Sequence, residues 1–162
     1  MNKLRLSIGL CLLLSLMGTA PAACSQEVKH EPNFITLQKQ EKVFLNYNQD
    51  FLDFAKAHGE EEFEQTMDLI VVSSEMEDRL AAASTILGIY ETLLCKDDRA
   101  LQLPTVKHQL QFYSTQVGFA IKQTNLDLAN LKSPATIQLA LRMKDDLRST
   151  AEMLDAIAKT IQ

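Results

Sequence analysis

The sequence predicts an all-α protein, an up-and-down bundle of four long helices, on three observations. Beyond residue 22 the chain holds only Gly59, Gly88 and Gly118, and only Pro32, Pro104 and Pro134. Apolar residues recur at spacings of three and four over long stretches, the period of one helix face. Neither Asn-Gly nor Asp-Gly occurs, and no stretch alternates apolar and polar residues as a half-buried strand does.

Residues 1–22 read as a secretory signal peptide. Lys3 and Arg5 give the positive end, Leu6 to Met17 the apolar stretch, and Ala20-Pro21-Ala22 the small residues that signal peptidase requires. An apolar core of about twelve residues is too short to span a bilayer, which takes ~20. Lys3-Leu4-Arg5 lacks paired arginines, so the expected route is export of the unfolded chain. Residues 23–33 show no periodicity and read as a flexible leader, followed by one domain over residues 34–162.

The first helix is expected from about Ile35 to His58, with Leu37, Phe44, Tyr47, Phe51, Phe54 and His58 along one stripe and Gly59 as its stop. Glu60, Glu61, Glu62 and Glu64 open the second segment, where acids complement the partial positive charge of a helix N-terminus. That segment carries Leu69, Val72, Met76, Leu80, Ala83, Leu87, Tyr90 and Leu94 at spacings of three and four, as a bundle seam requires. Ser73 and Ser74, with Glu77 three residues after Ser74, resemble a capping box. A break near Ser73 would make five helices; the stripe keeps its phase across the serines and favours one continuous or kinked helix.

Lys96 to Leu103 reads as a polar connection, with the third helix from about Thr105 to Leu131 and Pro104 at its start. Val106, Leu110, Tyr113, Val117, Ala120, Ile121, Leu128 and Leu131 form its stripe. Ser133-Pro134 supplies an N-cap and a first-turn proline for a fourth helix to about Ile161, lined by Ile137, Leu141, Leu147, Ala151, Leu154, Ala158 and Ile161. Gly88 and Gly118 fall inside helices, where close helix–helix approach is the expected reason for them.

With 16 Lys and Arg against 21 Asp and Glu, the net charge is −5. That argues against nucleic acid, which needs clustered cations. No Cys-x-x-Cys-His, nucleophile elbow or phosphate-binding glycine loop is present. Glu27-Val-Lys-His30 is the one Glu-x-x-His, and it lies in the leader rather than on a helix as a di-iron bundle requires. Asp97-Asp98 and Asp145-Asp146 are sequence neighbours that point apart on a helix, and are expected to be solvated. No catalytic, cofactor or metal residue is therefore assigned. Met67, Met76, Met143 and Met153 leave non-covalent haem as a minor alternative, and as core fillers they are ordinary.

Cys24 and Cys95 remain once the signal is removed. An even pair in an oxidising compartment points to a Cys24–Cys95 disulfide. Ala22-Ala23-Cys24 also has the shape of a lipidation site, although Pro21 stands where such motifs carry an aliphatic residue; acylation of Cys24 would exclude the disulfide. The expectation is an exported, non-catalytic, periplasmic helical bundle that binds another protein, immunity-protein-like or chaperone-like. Its candidate contact residues are Glu60, Glu61, Glu62 and Glu64, and any exposed aromatic would mark a binding surface. The alternatives are a small-molecule or haem carrier using the bundle interior, and a lipid-anchored component of the outer membrane.

Overall fold

The computed structural model describes residues 31–58 and 63–162. Four helices follow one another: α1 (Asn33–His58), α2 (Phe63–Thr92), α3 (Lys96–Leu128) and α4 (Pro134–Thr160). Each helix packs on its neighbours in the chain, and α4 returns to α1, so the four close into an up-and-down bundle. The starts of α1 and α3 and the ends of α2 and α4 share one end of the molecule. There Asn33 Nδ2 and the Phe34 amide donate to the two oxygens of Glu91 at 2.6 and 3.3 Å, and Tyr90 Oη donates to the Gln162 carbonyl at 2.6 Å.

The second helix runs without a break through Ser73. Its hydroxyl is buried and donates to the Ile70 carbonyl one turn back at 2.9 Å, so the serine is satisfied inside the helix instead of starting a new one. Every expected stripe residue from Leu69 to Tyr90 is buried. In α1, Leu37, Phe44 and Phe51 are completely buried, and Tyr47 stacks at a tilt between the two rings, 6.1 and 6.4 Å from their centroids.

Three expectations need correction. The stretch from Lys96 to Leu103 is not a connection but the first two turns of α3, and Pro104 lies within the helix. Cys95 is the extended N-cap residue, its carbonyl accepts from the Arg99 amide at 2.9 Å, and Asp97 and Asp98 face the helix dipole favourably. Pro104 removes one helical hydrogen bond, to the Ala100 carbonyl; both residues are exposed, so water can satisfy that oxygen. Arg99 in turn reaches back and donates to the carbonyls of Leu94 and Glu91 at 2.9 and 2.6 Å, capping the end of α2.

In the first half of α4 the buried row is Thr136, Leu139, Ala140 and Met143; Ile137 is half-buried against that core as expected, whereas Leu141 is exposed. Small polar residues fill inward positions that an apolar reading skips. Ser84, Thr124 and Thr150 are buried with their hydroxyls returned to carbonyls three or four residues back.

The glycines are not explained by close approach. A Cβ on Gly118 would meet nothing within 4 Å, and one on Gly88 would sit in ordinary contact with the Phe34 ring at 3.7 Å.

Candidate interaction surface

The third helix differs from the others on its outer side. Between Ala100 and Leu131 the only formally charged residues are Lys107, Lys122 and Asp127. Leu101, Phe112, Phe119 and Leu126 stand 11, 7 and 7 residues apart in that stretch. At 100° per residue these four fall within about 40° of one another around the helix. All four are open to solvent, at 76, 50, 56 and 63% of their surface. They form a stripe roughly 38 Å long, at 1.5 Å per residue. Apolar residues thus occupy both faces of α3, the pattern of a helix covered on both sides. Charge depletion with exposed aromatics is the composition of an interface core rather than of an ordinary solvated helix face.

A groove of about 510 Å³ runs beside this stripe between α2 and α3. Val71 and Phe119 form its apolar lips, and Val72 and Ala120 lie deeper. Lys122 Nζ sits over the Phe119 ring, 5.5 Å from the centroid. Asp68, Glu75 and Arg79 line the α2 side, and Arg79 pairs with Glu75 at 2.9 Å. The α3 side is Gln116 and Gln123. Asp127 continues that row one turn further, only 4% exposed. Gln123 Nε2 donates to Asp127 Oδ1 at 2.9 Å, while Oδ2 is buried with no hydrogen-bond partner among the described residues. Burial pushes the Asp127 carboxyl above the usual carboxylate range; the Gln123 hydrogen bond opposes this, and repulsion from Asp68 adds to it.

The residues singled out in the sequence are dispersed. Cys95 is half-buried at the N-cap of α3 and carries no disulfide among the described residues; Cys24 lies outside them. Glu64 is exposed in the first turn of α2, one turn before Asp68, whereas Glu60, Glu61 and Glu62 fall outside the described residues, as do the signal segment and His30. Asp145 is exposed and pairs with Arg148 at 3.0 Å. Asp146 is a correction to the expected solvated pair: half-buried, it accepts from Tyr47 Oη at 2.6 Å and ties α4 to α1. Met76 and Met143 are core residues. Among the described residues no three His, Cys, Asp or Glu side chains gather as a metal site would, and no helix is long and apolar enough to cross a membrane.

The rings of α1 point inward, with Phe44, Tyr47 and Phe51 buried. The exposed rings belong to α3, and to Phe63 at the start of α2. The signal for the α3 face was the seven-residue spacing of Phe112, Phe119 and Leu126 in a stretch almost free of charge. No known protein-family model matches this chain, and no curated protein or solved structure is significantly similar to it.

Proposed function

We propose that this chain is an exported, non-catalytic module that binds another protein through the outer face of α3. The observation that carries the reading is the exposed stripe Leu101, Phe112, Phe119 and Leu126 on a helix that carries few charges there. Contiguous exposed apolar surface rimmed by polar residues is a mark of interaction sites. The bundle interior is lined along its length by the buried side chains of Phe44, Phe51, Met76, Leu110, Met143 and Leu147, which favours the surface over the interior as the binding site.

Export rests on the order of charge, apolar stretch and small residues in residues 1–22. The disulfide between Cys24 and Cys95 belongs to the same proposal. Cys95 lies at the end of the bundle where α1 begins, and Cys24 precedes Asn33 by nine residues, a reach of up to about 30 Å. Thiol labelling of the unreduced, denatured mature chain tests it: the disulfide leaves no reactive thiol, and two per chain refute it.

The binding reading is tested by affinity capture from envelope extracts with the wild-type chain and with Phe112→Asp/Phe119→Asp, both confirmed folded by circular dichroism. A discrete partner retained by the wild type and lost by the variant is the expected result. Equal recovery by both would overturn it.

A further inference from the structure

Resting on that reading, we infer that the α2–α3 face receives an amphipathic helix of a partner protein, one carrying Lys or Arg beside its apolar seam. The apolar half of this statement follows from spacing. Phe112, Phe119 and Leu126 repeat every seven residues, occupying one of the two positions per heptad that a helix–helix seam uses, with Thr115, Gln116, Lys122 and Gln123 between them. A straight run of that length, bordered by the groove at Val71 and Phe119, suits a helix laid in a groove better than an extended strand, which would seek an open sheet edge.

The basic half follows from charge. At the Asp68–Gln123 end of the groove, Asp68 and Asp127 come together from two helices, and Glu64 stands exposed one turn before Asp68. Asp127 Oδ2 is buried and has no hydrogen-bond partner among the described residues, and the other oxygen is held by the amide of exposed Gln123, which lines the groove. A long cationic side chain arriving along the groove and displacing Gln123 would supply the missing donor and relieve the repulsion between the two carboxylates. At the opposite end of the stripe Asp97 and Asp98 are exposed in the first turn of α3. Acids therefore stand at both ends of the apolar stripe.

This arrangement also weighs against a second copy of the chain as the occupant, with exposed Lys96 beside Asp97 and Asp98 and Lys122 over the Phe119 ring offsetting only part of the repulsion. Antiparallel packing of α3 on α3 would bring Asp97 and Asp98 against Asp68 and Asp127 of the other copy. Parallel packing would bring each acidic end against itself. A basic helix meets attraction at both ends, and such complementarity selects partners and speeds their encounter.

The test uses the full chain to select from a displayed library of amphipathic helices. The apolar seam is fixed at heptad spacing, and flanking positions are randomised over Lys, Glu, Gln and Ser. The expected winners carry Lys at the flanks, bind about tenfold more weakly to Asp68→Asn/Asp127→Asn, lose affinity with added salt, and fail to bind Phe119→Asp. Winners with acidic or neutral flanks, or ones indifferent to the Asn variant, would overturn the basic partner while leaving the docking face standing. If no selected helix depends on Phe119, the docking face itself fails. Sedimentation showing a dimer that Phe119→Asp disperses would replace the partner helix by a second copy.

Discussion

Removing the Tyr47 hydroxyl should loosen the closure of the bundle. The contact between α1 and α4 is the thinnest of the four, and the hydrogen bond from Tyr47 to Asp146 at 2.6 Å spans it. Tyr47→Phe keeps the ring between Phe44 and Phe51 and deletes only the donor. A hydrogen bond to a charged acceptor contributes about 1.5–3 kcal/mol, and the lower end applies because Asp146 is only half-buried and water can take over part of the role. Over a folded unit of about 130 residues, ~1.5 kcal/mol lowers Tm by about 5 °C.

The same bond has a pH signature. Burial, the hydrogen bond to Asp146 and that residue's charge hold the Tyr47 phenol well above its usual range. The folded chain therefore keeps a proton that the unfolded chain releases near pH 10, so wild-type stability falls as pH rises past 10. The Phe variant has no such proton, and its deficit should shrink above pH 10. Urea unfolding of Tyr47→Phe, Asp146→Ala and the double variant, at pH 7 and above pH 10, measures these effects together with the coupling between the two residues. A deficit below about 0.3 kcal/mol at pH 7, or additive single losses, would refute the account of the closure.

Gly118→Ala places a Cβ in open space and should stabilise by about 1 kcal/mol through helix propensity, read as a rise in the urea midpoint at constant slope. Asp127→Asn keeps an acceptor for Gln123 and removes a buried charge repelled by Asp68, so thermal unfolding at pH 7 should show a small gain, reduced by the buried amide donor that takes the place of Oδ2. Because the wild-type carboxyl is raised in the folded state, wild-type stability recovers as pH falls toward the unfolded value near 3.9, and the gain of the Asn variant should vanish there. Arg99→Met deletes two donors to the last carbonyls of α2 and should cost about 1–2 kcal/mol, with faster amide exchange concentrated around residues 91–95.

The four helices, the α2 seam and the Ser133 cap of α4 were legible in the sequence because periodicity and capping are local properties. Pro104 misled because a proline usually opens a helix; here Asp97 and Asp98 after Cys95 were the true start signal, and solvent exposure makes the lost bond at Ala100 tolerable. The first turns of α4 are legible only in part: Ile137 packs against the core as its spacing predicts, but Thr136 and Met143 rather than Leu141 complete the inward row, and neighbouring helices rather than local preference set that choice. Asp146 looked like one of a solvated pair, since its partner Tyr47 is 99 residues away in the chain. Phe112 and Phe119 already fall off the Val106–Leu131 stripe in the sequence, but their exposure is fixed only by the packing of the neighbouring helices on the other side of α3.

The central claim, that the outer face of α3 is covered by a partner protein, is tested most directly by photo-crosslinking in the intact cell envelope. A photoreactive residue replaces Phe119 in one version of the chain, and exposed Arg148 on α4 in another. Both versions are expressed at native level and irradiated. The account predicts a discrete crosslinked species from position 119, absent from position 148 and lost when Leu126→Asp is added. No crosslink from position 119, or the same species from both positions, would contradict it.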